Sequence, residues 1–538
     1  VRRALILALA AALACAAQPV HITLLSTTDL HGNIYPIDYT TDKPDDRGLA
    51  KLATLIRQAR AASPNVLLLN TGDTLPGTAL SFYQATQAAA QTPPIITAMN
   101  ALRFDAMVLG NHEYDFGWPL MLRAAAASQF PWLAANAAPP GGQRAFYQPY
   151  VIKVVGGVRV AILGLTTTAI PNWDNPAEHR QRITLSDPLA AARHWVPILR
   201  QRERADVVVA AMHMGLEENP ETGARMPGQN EGENQALAIA RQVPGVDVIL
   251  MGHSHRHVSS LVVNGVLLTQ PAAWGRSLAR VDLTLTSQTG RWQVKDKQAS
   301  TISVAGVEAD AGILALAAPL HQATQRWLDQ RVGTSAQEIA AGAERFEPSA
   351  LLDFVHQTQI EAGHADVAFT ECLAPSARIA AGEVTVRQLF ALFGVELKLV
   401  TLELSGAQVR AVLEESARYF KQARPGQPPD TWIDPDYPFY NYYLAQGVSY
   451  DLDASRPAGD RIRNLRFQGQ PLDEARRLRV VTNIYLANGA AGYNMLAGAK
   501  VLWRSKEDLR ELLVERLRRL GMLPTQPVAN WRLLPAGQ

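Results

Sequence analysis

Five clusters of metal-ligating residue types punctuate the first half of the chain: Asp29-Leu30-His31, Asp73, Asn111-His112, His213 and His253-Ser254-His255. Each closes a short run rich in Val, Ile and Leu, at residues 21–27, 66–69, 106–109, 207–211 and 246–251, the composition of strands buried in an α/β sheet. Loops beyond the carboxyl ends of such strands meet in one crevice. Seven candidate ligands, Asp29, His31, Asp73, Asn111, His213, His253 and His255, are therefore expected to face one another. Asp-x-His and His-x-His set two side chains on one side of an extended chain, and the turn at Gly72 lets the Asp73 carboxylate sit between two ions. Mixed nitrogen and oxygen donors suit zinc, manganese, iron or cobalt better than magnesium or calcium, which prefer oxygen alone. Two divalent ions bring about four positive charges; Asp29 and Asp73 cancel two and a hydroxide a third, which leaves the site at about +1. Such a site attracts an anion and stabilises the charge that grows on phosphoryl oxygens during in-line displacement. Two divalent metal ions and a hydrolytic reaction are the expected chemistry.

Holding these residues requires an α/β layered domain. Over residues 21–305 strand runs alternate with helical stretches at 49–62 and 187–204, and 265–304 reads as antiparallel strands that finish the domain. Residues 306–332 carry helical spacing and read as a connecting helix. A second α/β domain is expected over 333–505, with helices at 348–362 and 406–419, strands at 397–404 and 477–482, and a Pro/Gly-rich loop at 424–438. Residues 506–538 read as an amphipathic packing helix, with Leu509, Leu512, Leu513, Leu517 and Leu520 on one face, and an irregular tail. At 538 residues the chain exceeds a single core, and 47% hydrophobic with 19% charged residues describes an ordinary globular protein. A formal net charge of +2 leaves no polyanion footprint, so no nucleic-acid polymer is expected, and no stable protein partner is implied. Residues 1–17, Val-Arg-Arg and then an apolar run, read as a signal peptide, which predicts a periplasmic or secreted protein. Cys15 allows a lipid anchor. Cys372 is then the one cysteine of the mature chain, which folds without an internal disulfide.

Thr28-Asp29-Leu30-His31-Gly32-Asn33, Asn70-Thr71-Gly72-Asp73, Gly110-Asn111-His112-Glu113-Tyr114-Asp115 and Gly252-His253-Ser254-His255 together resemble the signature motifs of calcineurin-like metallophosphoesterases of the secreted 5'-nucleotidase superfamily. The resemblance implies a metallophosphoesterase β-sandwich with flanking helices, followed by a C-terminal α/β nucleotide-recognition domain. It also implies that Asp29, His31, Asp73 and His255 hold one metal and Asp73, Asn111, His213 and His253 the other. His112 matches the family's catalytic histidine and Asp115 the carboxylate that orients it, so that a cationic imidazole stabilises the transition state or protonates the leaving oxygen.

The second half is most similar to bacterial 2',3'-cyclic-nucleotide 2'-phosphodiesterase/3'-nucleotidases, through Leu402-Glu403-Leu404-Ser405-Gly406-Ala407-Gln408-Val409, Tyr440-Asn441-Tyr442, Gly447-Val448-Ser449-Tyr450-Asp451-Leu452-Asp453 and Arg461-Ile462-Arg463-Asn464-Leu465. A base needs a flat slot, and stacking on an aromatic ring is worth about 1–3 kcal/mol per base. Tyr440 and Tyr485 match the two rings that sandwich the base in this family, and Asn441 and Asn483 are candidates for amide contacts to ribose or base. Relatives that cleave 5'-nucleotides carry a Gly-Gly-x-Arg-like segment where this chain has Ala374-Pro375-Ser376-Ala377-Arg378, which leaves Arg378 as a substrate-binding candidate. Their Gly-Gly-Asp-Gly-Tyr-type loop is here Gly489-Ala490-Ala491-Gly492-Tyr493, without its acid. The leading expectation is hydrolysis of 2',3'-cyclic nucleotides to 3'-nucleotides and then to nucleoside and phosphate. The alternatives are a 5'-nucleotidase or UDP-sugar hydrolase, a thiosulfohydrolase of sulfur oxidation, and an exported nucleotide-binding protein without catalysis.

Overall fold

Alternation along the strands decides the layers. In the computed structural model, which describes residues 18–140, 147–170, 181–226, 232–288 and 291–534, Ile22, Leu24, Leu67, Leu69, Ala106 and Val108 point one way, onto Val160, Ile162, Val207, Val209, Val248 and Leu250 of a second sheet. Their neighbours Leu25, Leu68 and Met107 point the other way, into the core beneath the helices. Burial on both faces is why these strands read as continuous apolar runs.

In chain order the strands of this sandwich are β1 (Val20–Thr27), β2 (Val66–Asn70), β3 (Ala106–Val108), β4 (Trp132–Leu133), β5 (Tyr150–Val155), β6 (Val158–Thr166), β7 (Val207–His213), β8 (Val248–Leu250), β9 (Val258–Val263), β10 (Val266–Gln270), β11 (Ser277–Gln288) and β12 (Arg291–Ser303). They form two six-stranded sheets, β12-β11-β1-β2-β3-β4 and β9-β10-β8-β7-β6-β5. β1 to β4 run parallel, as do β6, β7, β8 and β10. The sheets thus bring the carboxyl ends of β1, β2, β3, β7 and β8 to a shared rim. α1 (Leu49–Ala62) matches the expected bounds, and α2 (Ala79–Gln87) follows the loop that carries Asp73.

The connecting helix, α3 (Ala311–Leu328), starts at Asp310, whose carboxylate accepts from the Ile313 amide (3.0 Å), and accommodates Pro319. Beyond it, β13 (Val367–Glu371), β14 (Lys398–Ser405), β15 (Tyr443–Gln446), β16 (Val448–Leu452), β17 (Ile462–Phe467), β18 (Arg477–Asn483) and β19 (Lys500–Asp508) build the second domain. Its main sheet has the order β15-β13-β18-β14-β19. The boundary expected at 505/506 falls inside β19, and the terminal helix, α4 (Leu509–Leu520), starts three residues later than expected, on an Asp508 cap. β19 carries the chain across that boundary, pairing with β14 from Lys500 to Arg504 and again at Asp508. The tail is not irregular as expected: Trp531–Leu533 pairs in parallel with β16, with the Trp531 ring stacked on Tyr450 at 6.2 Å. The expected leader, residues 1–17 with Cys15, lies outside the described residues; Cys372 is buried and free.

Candidate active site

Five of the seven expected ligands adopt the left-handed backbone region: Asp29 (φ 46°), His31 (46°), Asp73 (52°), His253 (71°) and His255 (52°). Side chains there cost about 1–3 kcal/mol each and persist only where the surroundings over-determine them. Bonds between loops do so here. The Asp29 amide donates to Gly72 O and the His31 amide to Asp73 O (both 2.9 Å), Thr71 Oγ1 donates to Met251 O (3.0 Å), and the His253 amide donates to the Asp29 carboxylate (3.1 Å). Close approach also requires glycine at 110, where a Cβ would lie 2.2 Å from Asp73 Oδ1.

The side chains gather into two groups, Asp29/His31/His255 and Asp73/His213/His253. In the first, His31 Nε2 and His255 Nε2 are 3.0 Å apart and His255 Nε2 lies 3.5 Å from Asp29 Oδ1. In the second, His213 Nε2 lies 3.0 Å from both Asp73 Oδ2 and Asn111 Oδ1. Asp73 joins the groups, since its Oδ2 is also 3.9 Å from His31 Nε2. That oxygen is buried without a hydrogen-bond donor of good geometry. A buried carboxylate oxygen between converging imidazole nitrogens fits a carboxylate bridging two cations, and the mixed donor set fits borderline transition metals.

Tautomers are set from behind. His213 Nδ1 lies 2.7 Å from Thr71 O and His31 Nδ1 lies 3.2 Å from Pro76 O, so each donates there and turns Nε2 inward. Burial and the neighbouring His255 hold His31 well below its ordinary value, in the neutral form a ligand needs. Burial opposes charge on His213 as well, but Asp73 outweighs it and pushes the imidazole up to about 9.

His112 follows Asn111 on a 3-10 turn, His112–Tyr114, with its amide donating to Asp73 Oδ1 (2.9 Å) and its Nδ1 lying 2.7 Å from Asp115 Oδ2. Burial lowers its basicity; Asp115, then Asp73, overcome this and push it up to about 10. The ring therefore carries a proton on Nδ1 toward Asp115 and presents Nε2 to the site. Two carboxylates have no role that sequence reasoning finds. Glu113 accepts from the amides of Gly110 (2.7 Å), Asp73 (3.0 Å) and Thr74 (2.5 Å), clamping the loop that bears Asp73, and burial followed by the Asp73 charge raises it to about 7. Its place inside the Gly110–Asp115 motif is the available signal. Glu233 lies 2.6 Å from His253 Nε2; twenty residues upstream and outside any strand, it gives none.

In the second domain Tyr440 is 51% exposed on a 3-10 turn. Tyr485 sits on the short helix Ile484–Ala487, where burial raises its hydroxyl, with Tyr440 and Glu233 close enough to add to the effect. The tyrosines thus lie near each other and near the metal domain. Asn441 is buried, its carbonyl accepting from Tyr493 Oη (2.6 Å), while its Oδ1 has no hydrogen-bond partner among the described residues. The Asn483 amide is committed to the fold, with Oδ1 capping the Leu486 amide (2.8 Å) and Nδ2 donating to Glu371 (2.7 Å). Arg378 is exposed, on a two-residue strand paired with Ile339–Ala340.

Family models for the calcineurin-like phosphoesterases and the 5'-nucleotidase C-terminal domain match residues 22–257 and 331–498. The 2',3'-cyclic-nucleotide 2'-phosphodiesterase/3'-nucleotidase of Haemophilus influenzae is 27% identical over 98% of this chain and 90% of its own length. The trifunctional nucleotide phosphoesterase protein YfkN of Bacillus subtilis is 27% identical over 97% of this chain, which spans 39% of that protein. The crystallised calcineurin-like phosphoesterase part of YfkN is 31% identical, with a TM-score of 0.52 over 57% of this chain and 99% of that one. A Staphylococcus aureus crystal structure, provisionally named a 5'-nucleotidase and holding alpha-ketoglutarate, is 25% identical with a TM-score of 0.84, covering 96% of this chain and all of its own.

Proposed function

Because this chain belongs to the calcineurin-like phosphoesterases that carry a 5'-nucleotidase C-terminal domain, we propose that it hydrolyses 2',3'-cyclic nucleotides to 3'-nucleotides and then to nucleoside and phosphate. The observation that carries the chemistry is the buried Asp73 carboxylate joining two ligand groups, with the His112–Asp115 pair at its rim. Two divalent ions, of zinc, manganese, cobalt or iron, would supply the electrophilic activation of the phosphoryl group. Asp29, His31, Asp73 and His255 would hold one, and Asp73, Asn111, His213 and His253 the other. In the first step a water oxygen bonds to phosphorus and gives up a proton to solvent, the bond from phosphorus to the 2'-oxygen breaks, and His112 delivers the proton that this oxygen requires, to be reprotonated from solvent. Asp115 keeps the imidazole cationic and aimed. In the second step the same groups release the 3'-oxygen.

Tyr440 and Tyr485 are assigned to the base and Asn441 to the sugar or base edge; Arg378 would need to reach the substrate from its exposed strand. The 5'-nucleotidase reading is weaker, because the loop Gly489–Tyr493 offers no acidic side chain. A periplasmic or secreted location is proposed from the apolar run at residues 4–17, and the N-terminal sequence of the protein recovered from cell fractions tests it. The activity is tested by phosphate release from 2',3'-cyclic AMP, 3'-AMP and 5'-AMP with added manganese, cobalt or zinc. Turnover of the first two is expected to exceed that of 5'-AMP; the reverse order would overturn the assignment.

A further inference from the structure

We propose that Lys398, on the nucleotide-side domain, is a positioning residue for the His112–Asp115 pair of the metal domain. The proposal rests on the phosphoesterase reading of that pair. The turn His112–Tyr114 ends at Asp115, and the carbonyls at the end of a helical turn lack partners within it. Lys398 Nζ supplies one from the other domain, donating to Asp115 O at 3.0 Å. A charged donor makes a stronger bond than a neutral one. Fixing the Asp115 carbonyl fixes the peptide from which its carboxylate reaches His112 Nδ1.

Lys398 is itself held in place. It is the first residue of β14, and the preceding Leu397 amide donates to Asp508 Oδ2 (2.6 Å). Asp508 pairs with Arg510 (2.8 Å), whose side chain is only 5% exposed and also lies 3.4 Å from Glu396. The Arg510 guanidinium packs over both Phe82 of α2 (4.8 Å) and Phe390 of the second domain (4.6 Å), whose rings meet edge to face at 5.0 Å. A buried cation packed against an aromatic pair contributed by the two domains, and tied to Glu396 and Asp508 beside Lys398, clamps the start of β14 onto the metal domain. Orientation of the catalytic pair therefore depends on the second domain being docked, even for a substrate without a base.

The test compares Lys398→Met and Lys398→Arg, measuring kcat, KM and bound metal with 3'-AMP and with bis-p-nitrophenyl phosphate, which has no base. Lys398→Met is expected to lower kcat about 10-fold on both substrates, with KM and metal content unchanged, and Lys398→Arg to recover most of the loss. A defect confined to nucleotide KM would make Lys398 a domain tether and overturn the proposal. An unchanged kcat, or a loss of metal in step with kcat, would overturn it too. Should the wild type cleave the base-free ester but no nucleotide, the nucleotide assignment falls while the Lys398 comparison is still read on the ester.

Discussion

Asp73→Asn changes one charge and almost no volume at the point where the two ligand groups meet. The amide oxygen can still accept from the His112 amide, as Asp73 Oδ1 does at 2.9 Å, so the loop geometry should survive. The other oxygen faces His213 at 3.0 Å and His31 at 3.9 Å and has no hydrogen-bond donor of good geometry to lose. A pair of unit charges at about 4 Å is worth roughly 4 kcal/mol at an effective dielectric near 20. A divalent ion held on those imidazoles should lose at least that much, or about three decades of affinity for each ion. Metal bound after dialysis against micromolar manganese, quantified by mass spectrometry, should fall from two ions per chain to less than one. Turnover of bis-p-nitrophenyl phosphate should fall with it and recover only in part at millimolar metal. A variant that kept two ions and normal turnover would refute the bridging role. If it lost one ion only, Asp73 would belong to a single site.

His112→Ala should lower kcat by about 10²-fold with both metals retained, because the side chain is paired with Asp115 and not with a ligand; loss of metal would assign it to coordination. Asp115 raises His112 toward about 10 and bound cations pull it down, so the alkaline limb of kcat should lie at or below pH 10 and move to lower pH in Asp115→Asn. Tyr440→Ala with Tyr485→Ala should raise KM for nucleotides and spare bis-p-nitrophenyl phosphate; equal damage to both substrates would make the rings structural. Glu371 is buried and pushed up to about 7 from an ordinary 4.5, so the folded state holds a proton that the unfolded chain releases. Stability is then full below about pH 4.5, falls as pH rises toward 7 and levels off above it, by about 3 kcal/mol. Glu371→Gln should raise Tm at pH 8 and leave it unchanged at pH 4, and a uniform shift at both would count against the buried-charge account.

The strands that carry the ligands are legible because both of their faces are buried, so each is an unbroken apolar run ended by a turn. The left-handed residues 29, 31, 73, 253 and 255 mark where chemistry overrides backbone preference; Asp-x-His and His-x-His point to the ligands in sequence, but the extended backbone expected for them is not the one they adopt. The terminal region is harder. Residues 506–508 satisfy helical spacing, but they continue β19, with Asp508 opposite Lys398 of β14, and Asp508 is needed as the cap of α4. Periodicity does not register an edge strand running directly into a helix. The tail reads as irregular because three residues carry no period; Trp531–Leu533 becomes a strand only because β16 offers it a free edge more than seventy residues away.

The same distinction separates what is and is not readable in the site. A residue that acts by touching its own loop is marked by local spacing, as His112 and Asp115 are, three apart on one turn. A residue that acts across the fold is not. Glu233 reaches His253 across twenty residues and Lys398 reaches Asp115 across 283, and at those separations neither partner constrains the other's position in the sequence. Asn483 shows the converse: its local surroundings suggest substrate contact, but helix capping and the Glu371 bond occupy its amide. Capping is satisfied within three residues and therefore takes precedence over a partner that must diffuse in. The second domain's part in catalysis then rests on contacts whose partners are distant in sequence, and it is at Lys398 and the Arg510 clamp, more than at the metal ligands, that a change of domain docking would be felt as a change in rate.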